Sequence, residues 1–311
     1  VDEQAQLGGT LLFSPAVIGG QTGLDWVSEL EAELRSFPQV TILSRSTVTG
    51  YYDHNFLVVN ERRTDHIGPS QAPSKRVRER LWRIRAKQVV IATGAIERPL
   101  VFEGNDTPGV MLASAVSTYI RRYAVAPGRS GAVFTNNDSG YQAALDMASA
   151  GMKVRALVDI RENPGASVVA AVSAYDIPVY RGCVVPSVQS GFQGLKRIEL
   201  AKLSPGGEDI LSHKGLIDCQ VLAMSGGWSP AVHLHSQSGG RPCYDKAKAC
   251  FVPGVSVQAE CSVGACGGSF TLAACLKEGA DAGIGAAAQS GWPGGYVDVP
   301  AVEEVAHAPL E

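Results

Sequence analysis

The chain has 311 residues, with 27 basic and 30 acidic side chains and a net charge of −3. A hydrophobic fraction of 45% with 18% charged residues indicates a folded protein with room for one large or two ordinary domains. The absence of a concentrated basic field argues against nucleic acid and against anionic membranes as main partners. Seven cysteines, none in C-x-x-C spacing, favour a reduced cytoplasmic chain. No run of about 18 apolar residues predicts a membrane span.

The first residues place an acidic pair, Asp2 and Glu3, ahead of the turn residues Gly8 and Gly9. In a dinucleotide-binding fold, an acid at the end of the second strand hydrogen-bonds the adenosine ribose. Since no first strand with a G-x-G-x-x-G loop precedes the pair, we interpret the sequence as a fragment that lacks both. That strand is central in a doubly wound sheet, so we expect the isolated fragment to aggregate or to need flanking sequence.

The next segments alternate between helical and extended patterns. An amphipathic helix is predicted over residues 24–37, and a short apolar strand over 40–43. Alternating apolar residues at 47–59 and 82–91 predict a β-meander. The polar, basic segment 62–80 between these two stretches predicts a solvated loop.

The sharpest nucleotide-binding motif is the run VVIATGA at residues 89–95. A buried strand that ends in Ala-Thr-Gly lets a dinucleotide approach the backbone, because Gly94 has no side chain. The hydroxyl of Thr93 is a candidate for a further contact. After this motif, Pro108 is predicted to lie in the first turn of a helix that runs to Ile120.

A second βαβ unit follows, with a helix predicted at 139–150 between two strands and Asp159 at the position of the ribose acid. Asn136, Asp138 and Tyr141 replace the three glycines of its phosphate loop. The carboxylate of Asp138 would face the pyrophosphate, and the ring of Tyr141 would obstruct close packing of helix on strand. We therefore expect this unit to be a scaffold without bound nucleotide.

The last third of the chain contains a strand at 221–225, which we interpret as the return to the first domain. His233 and His235 form an H-x-H pair without a third ligand nearby, which favours a structural role over a metal site. Residues 263–271 (VGACGGSFT) open a helix predicted over 272–288. Free N–H groups behind such a glycine loop favour phosphate.

The sequence contains no nucleophile elbow, metal triad or His–carboxylate pair at catalytic spacing, so no catalytic and no metal-binding residue is predicted. Cys261 and Cys266 have the C-x4-C spacing of a redox pair. Their place at the far end of the chain, away from the opening helix of the first domain, favours a non-redox role.

The order of these motifs is similar to that of the two-dinucleotide-binding-domain flavoproteins. Their fold is an α/β, FAD/NAD(P)-binding Rossmann-type fold with a β-meander. More narrowly, nearly the whole chain resembles the α subunit of heterotetrameric sarcosine oxidase. The stretches that carry this resemblance are ATGAIERP at 92–99, NDTPGVM at 105–111, TNNDS at 135–139 and SGGWSPAVHLHS at 225–236.

The resemblance implies an oxidoreductase subunit that acts on the CH–NH bond of a secondary amine. Sarcosine would be demethylated to glycine, with formaldehyde or 5,10-methylenetetrahydrofolate and hydrogen peroxide as the other products. It also implies that this chain holds NAD as a bound, non-reacting cofactor. FAD and FMN would lie in or against a β subunit, γ and δ subunits would complete the assembly, and tetrahydrofolate would bind a C-terminal domain outside this sequence.

The same resemblance assigns domain limits and cofactor contacts. The first dinucleotide-binding domain would comprise 1–106 and 224–291, the degenerate second one 107–223, and a linker 292–311. Gln4 would stand beside the ribose, where a basic residue is expected. The expected contacts are Asp2, Glu3, Gln4, Gly9, Thr10, Val48, Thr93, Gly94, Ala265, Phe270 and Leu272.

Three alternatives stay open at the level of sequence. The first is an α-type subunit of an amino-acid or opine dehydrogenase or oxidase, which would carry FAD in the first fold. A flavin disulfide reductase and a non-enzymatic nucleotide sensor are the other two. The identity of the bound nucleotide separates the first alternative from the sarcosine oxidase hypothesis.

Overall fold

A computed structural model describes residues 1–68, 77–293 and 295–303 of the chain. It divides into two compact units. Unit 1 comprises Val1–Ala95, Pro230–Asp245 and a stretch that begins at Cys250, and unit 2 comprises Ile96–Ser229 with Lys246–Ala249. The domain limits given above stay a prediction. Parts of the expected solvated loop (69–76) and of the expected linker (294 and 304–311) lie outside the described residues.

Among its described residues, unit 1 combines three α-helices with short strands in several small sheets. Its helices are α1 (Gly23–Ser36), α5 (His233–Gln237) and α6 (Leu272–Gln289). Its strands are β1 (Val17–Ile18), β2 (Gln21–Thr22), β3 (Ser46–Tyr52), β4 (Phe56–Arg62), β5 (Glu79–Arg85), β6 (Val89–Ile91), β18 (Cys243–Asp245), β19 (Cys250–Val252), β20 (Glu260–Ser262) and β21 (Val302–Glu303).

Helix α1 confirms the predicted helix, shifted by one residue. It begins where the Thr22 side chain accepts a hydrogen bond from the Asp25 amide (3.2 Å), an N-cap, and it ends before Pro38. The strand predicted at 40–43 is wrong. Backbone bonds join Leu43 and Ser46 to Asp2 (2.8 Å each), but they do not continue into a regular ladder, so the segment is extended without forming a strand.

The predicted β-meander is confirmed by the antiparallel order β3-β4-β5. Beside it in the sequence, β6 pairs in parallel with β20, with Val89 opposite Glu260 and Ile91 opposite Ser262. Side chains from both sheets share one core, since Tyr51 and Leu57 of the meander pack with Ile91. This packing holds the parallel pair against the meander.

Unit 2 is built on a five-stranded parallel sheet in the order β11-β10-β9-β16-β8, beside an antiparallel sheet in the order β12-β14-β13 to which β15 pairs through β14. Its helices are α2 (Ala113–Tyr123), α3 (Ser139–Ser149) and α4 (Ala166–Ser173). Its strands are β7 (Ala95–Glu97), β8 (Val110–Leu112), β9 (Ser130–Thr135), β10 (Lys153–Asp159), β11 (Val179–Arg181), β12 (Cys183–Val184), β13 (Val188–Gly191), β14 (Gly194–Leu203), β15 (Ile210–Asp218), β16 (Val221–Ser225) and β17 (Trp228–Pro230).

Two sequence expectations for this region are wrong. Pro108 does not start a helix, because Gly109 turns the chain at φ +105° and Val110–Leu112 joins the parallel sheet as β8. The run 221–225, expected to return to the first domain, is β16 of unit 2. All its residues are buried, with Val221 and Ala223 in one core cluster and Leu222 in another, and this burial on both faces of the sheet explains why residues 221–224 are all apolar.

The predicted second βαβ unit is confirmed as β9, α3 and β10. Tyr141 does not hold the helix away from the sheet, since its ring is buried in the core. The close approach occurs at Gly140 instead, where a Cβ atom would lie 2.6 Å from Cβ of the buried Thr135. The glycine that allows the close approach is thus residue 140, one position before Tyr141, where the motif has its third glycine.

We expect Gly140→Ala to lower the free energy of unfolding by about 1–3 kcal/mol, because neither the helix nor the strand can move aside without disturbing the core. Denaturant unfolding of the full chain measures the change. The matched control is Gly206→Ala, whose new Cβ would meet only the Cγ of Glu208, at 3.9 Å. Equal stability of the two variants would contradict the close approach at Gly140.

Candidate functional site

In unit 1, the candidate site lies at the carboxyl edge of the parallel pair β6 and β20. The amide of Val263 donates to the carbonyl of Ile91 (2.9 Å) just beyond the two strands. Segments that leave parallel strands at their carboxyl ends emerge on the same side of the sheet, which is where ligands bind in open α/β folds. The ATG motif and the glycine-rich loop 263–271, far apart in the sequence, therefore meet here.

Thr93 and Gly94 of the ATG motif differ in which groups they leave available to a ligand. Gly94 has φ +74°, and a Cβ atom built on it would meet no atom within 4 Å, so its backbone borders open space. The hydroxyl of Thr93 is already used within the protein, since it lies 3.0 Å from the carbonyl oxygen of Ala231 and 3.2 Å from Sγ of Cys266. Gly94 is thus available for a close backbone approach, whereas the side chain of Thr93 links three segments of the edge.

The glycine-rich loop is shaped by helix α6. The amide of Gly264 donates to Oε2 of Glu278 (2.7 Å), and the hydroxyl of Ser269 donates to the other oxygen of the same carboxylate. The Thr271 side chain caps α6 by accepting from the Ala274 amide (3.4 Å). The expectation of freely available N–H groups here is therefore corrected, because Thr271 accepts the Ala274 amide in the first turn of the helix and Glu278 accepts the Gly264 amide of the loop.

The N-terminal contacts expected for the ribose lie beside the meander. The amides of Arg45 and Ser46 donate to the carbonyls of Gln4 and Asp2 (2.8 Å each), which aligns residues 2–4 with the start of β3. The carboxylate of Asp2 accepts from the Gln4 amide (2.7 Å), while Glu3 and Gln4 are exposed. These residues are thus accessible to a ligand.

All the predicted cofactor contacts belong to unit 1, and two of them, Leu272 and Val48, pack on separate core clusters. Leu272 packs on the cluster that contains Leu11 and Val27, which places the start of α6 beside the Gly9–Thr10 turn. Val48 packs on Ile91 and Cys266, next to Thr93 and Ala265. Gly9 itself has φ +54° with open space around it.

Sequence reasoning missed two groups at this edge. The carbonyl of Ala231 is a backbone group, and only the fold brings it next to the Thr93 hydroxyl. Glu278 stands on the predicted helix beyond the glycine loop, and its spacing from Ser269 carries no motif.

In unit 2, charged side chains of the protein itself occupy the carboxyl edge of the parallel sheet. Arg161 follows the ribose-type acid Asp159 by two residues, and its guanidinium binds Asp159 (2.9 and 3.1 Å) as well as Asp138 (2.7 Å). The hydroxyl of Tyr141 donates to the second carboxylate oxygen of Asp159 (2.9 Å). All four side chains are at most 5% exposed. Asp138, expected to face a pyrophosphate, is instead an internal anion paired with Arg161.

The electrostatics of this cluster follow from burial and pairing. Burial by itself lowers the pKa of the Arg161 guanidinium, but hydrogen bonds and charges from Asp159 and Asp138 outweigh it and raise the pKa above its usual range. Burial, reinforced by the charge of Asp159, raises the pKa of Tyr141. Asp138 also occupies the N-cap position of α3, where the helix dipole favours a negative charge.

Further polar side chains fill the rest of the same edge. The Asn137 amide donates to the carbonyl and the hydroxyl of Ser225 (3.1 and 3.0 Å), and the Trp228 indole donates to the Ser139 hydroxyl (3.1 Å). At the start of α2, the buried carboxylate of Glu97 accepts from the Ser114 amide (2.8 Å). Burial raises the pKa of Glu97. These contacts occupy the polar groups at this edge, and the role of unit 2 as a scaffold stays a prediction.

In the H-x-H pair, His235 is packed and hydrogen-bonded inside the protein. His235 is fully buried, with Nδ1 2.9 Å from Oε1 of Glu260, and the Ser238 hydroxyl lies 3.3 Å from the same oxygen. Within the described residues, no group of three or more His, Cys, Asp or Glu side chains is arranged to hold a metal ion. All seven cysteines are free thiols, including Cys261 and Cys266. None of the helices in the described part of the chain has the length and apolar character needed to cross a membrane.

Removing the cation of the unit 2 cluster should be strongly destabilising. Arg161→Met leaves the carboxylates of Asp138 and Asp159 buried without their partner, so we expect a loss of about 3–5 kcal/mol in the free energy of unfolding. Denaturant unfolding at neutral pH measures it.

The matched control for this substitution is Arg35→Met, which removes an exposed ion pair with Glu31 and should cost less than about 1 kcal/mol. A loss at Arg161 as small as that at Arg35 would contradict the role of the cluster.

Comparison with known proteins places these features in context. The chain is 41% identical over 295 residues to the sarcosine oxidase α subunit of Corynebacterium sp. strain P-1, and 40% identical over 283 residues to that of Rhizobium meliloti strain 1021. These matches cover 94% and 90% of the chain but only 30% and 27% of the relatives. The chain thus spans less than a third of the length of the curated relatives it matches. No family model matches the sequence.

Solved structures with similar folds include a dehydrogenase and a reductase of low sequence identity to this chain. L-proline dehydrogenase from P. horikoshii aligns with a TM-score of 0.61 at 20% identity, covering 94% of this chain and 50% of that one. Thioredoxin reductase from T. acidophilum aligns with a TM-score of 0.68 at 14% identity, covering 93% and 89%. The predicted fold class is therefore confirmed. The chain has an FAD/NAD(P)-binding Rossmann-type fold and is similar, along nearly its whole length, to a segment of sarcosine oxidase α subunits.

Proposed function

We propose that the chain is the NAD-bearing part of a sarcosine oxidase α subunit and that unit 1 holds the dinucleotide. The observation that carries this proposal is the contrast between the two sheet edges. Gly94 borders open space at the carboxyl edge of β6, whereas Asp138, Arg161 and Asp159 fill the equivalent edge of unit 2. The identity to the α subunits supports the choice of enzyme class.

The proposed contacts follow the resemblance and are compatible with the geometry of unit 1. Asp2, Glu3 and Gln4 would bind the adenosine ribose, and the exposure of Glu3 and Gln4 supports this. The remaining contacts would come from the Gly9–Thr10 turn, the backbone of Val48, the Thr93–Gly94 edge and the loop residues Ala265, Phe270 and Leu272. NAD is a hydride carrier in general, but here it would be a resident group that does not turn over.

The chemistry of the complex would lie outside this chain. Oxidation of the CH–NH bond of sarcosine to give glycine, with formaldehyde or 5,10-methylenetetrahydrofolate and hydrogen peroxide, would use FAD and FMN in or against the β subunit. The γ and δ subunits and a C-terminal tetrahydrofolate domain would complete the assembly. A cytoplasmic location is part of the same proposal, supported by the seven free thiols.

The proposal is tested by the nucleotide that the chain carries. The chain is purified with its native flanks and partner subunits, denatured, and the released nucleotide identified by chromatography and absorbance. We expect one NAD per α subunit with flavin only on the partner. FAD from this chain would favour an amino-acid or opine dehydrogenase, and no nucleotide would indicate a scaffold.

A substitution at Gly94 locates the bound nucleotide. We expect Gly94→Val to reduce nucleotide occupancy at least tenfold, because the new side chain fills the space into which the backbone opens. The matched control is Gly207→Val, in a turn of unit 2 with nearly the same backbone angle (φ +73°) and the same open surroundings. Loss of nucleotide in both variants would point to general instability rather than to this site.

A further inference from the structure

The loop that borders the candidate site is held by a single carboxylate. Glu278 of α6 accepts the Gly264 amide (2.7 Å) at one end of the loop and the Ser269 hydroxyl at the other. The thiol of Cys275, also on α6, donates to the carbonyl of Ser269 (3.1 Å). Glu278 is thus one side chain that bonds both ends of the loop, in addition to the contacts that hold each end separately.

The loop between these ends is tight and returns on itself. Gly264 has φ +65° and Gly268 has φ +90°, and the Ser269 amide donates back to the Gly264 carbonyl (3.0 Å). Its central residue, Cys266, is fully buried and lies 3.2 Å from the hydroxyl of Thr93. A displacement of the loop would therefore move the edge that also contains Gly94.

A neighbouring ion pair on the same helix does not share this role. Lys277, the neighbour of Glu278, is exposed and pairs with Asp281 on the helix surface (2.7 Å). That pair is available as a control, because both of its members belong to the same helix and neither bonds the loop in the described contacts.

We propose that Glu278 is a positioning residue for the dinucleotide site of unit 1. This inference rests on the proposed function, because it assumes that a dinucleotide lies against the loop. The carboxylate does not touch the ligand; it presets the backbone of the loop so that binding does not have to order it. Loss of this preorganisation increases the rate at which the nucleotide leaves.

The test measures nucleotide dissociation from the complete, partner-bound enzyme. NAD release is followed after dilution of the enzyme into a large volume of buffer that contains no NAD. The NAD in the filtrate is quantified over time. We expect Glu278→Ala to release NAD at least tenfold faster than the wild type. Glu278→Gln should stay within about twofold, because its carbonyl oxygen still accepts from Gly264 and its amide can donate to the Ser269 hydroxyl. Asp281→Ala should also stay within about twofold.

Each outcome decides the proposal. NAD release from Glu278→Ala at the wild-type rate overturns the proposal. Release from Glu278→Gln that is as fast as from Glu278→Ala also overturns it, because the effect would then come from the charge of Glu278 and not from its hydrogen bonds. If Glu278→Ala does not fold, Ser269→Ala removes one of the two contacts alone, and unchanged release from that variant also overturns the proposal. A wild-type complex without dinucleotide overturns the proposed function together with this inference, whereas unaltered release from a loaded variant overturns this inference only.

Discussion

The buried ion cluster of unit 2 is the interaction that distinguishes the two sheet edges of this chain. Two carboxylates, Asp138 and Asp159, share one guanidinium, Arg161, with almost no access to water. Such a cluster tolerates burial only because each charge is paired and hydrogen-bonded, and losing one partner would leave the others uncompensated. The cluster ties the ends of β9 and β10 to the start of α3, where a dinucleotide-binding unit would receive its phosphates.

The cluster has a formal net charge of −1, and this charge lies at the N-terminus of a helix. A helix start favours an anion through its free N–H groups and its dipole, and in unit 2 the protein supplies that anion itself. An incoming pyrophosphate would meet like charge and donors of Arg161 that are already bonded to Asp138 and Asp159.

The carboxyl edge of β6 and β20 in unit 1 has a different arrangement of contacts. There Thr93 is hydrogen-bonded to Ala231 and Glu278 to the two ends of the loop, while the space beside the Cα atom of Gly94 stays open, although its carbonyl accepts from the Ala231 amide (3.0 Å). In the proposed function, such contacts preorganise the site without being contacts to the ligand. The polar network keeps the edge in place without filling it.

The sequence by itself determined the class of fold and the order of its parts. The period of apolar residues predicts α1, the meander and the second βαβ unit, because these elements bury one face or two and the pattern follows from burial. The replacement of the three glycines by Asn136, Asp138 and Tyr141 predicts a unit without nucleotide, and this stays a prediction. The resemblance to sarcosine oxidase α subunits was likewise readable from short stretches of sequence.

Only the tertiary structure decided which polar groups pair and which strands are neighbours. Residues 40–43 look like a strand but lack a continuous ladder, and 110–112 look like the start of a helix but find β16 as a partner. Pairing of Arg161 with Asp138 joins residues 23 positions apart, and the contact of Glu278 with Gly264 joins residues 14 positions apart across a turn. Hydrogen bonds of this kind depend on geometry in space, which local sequence patterns do not encode.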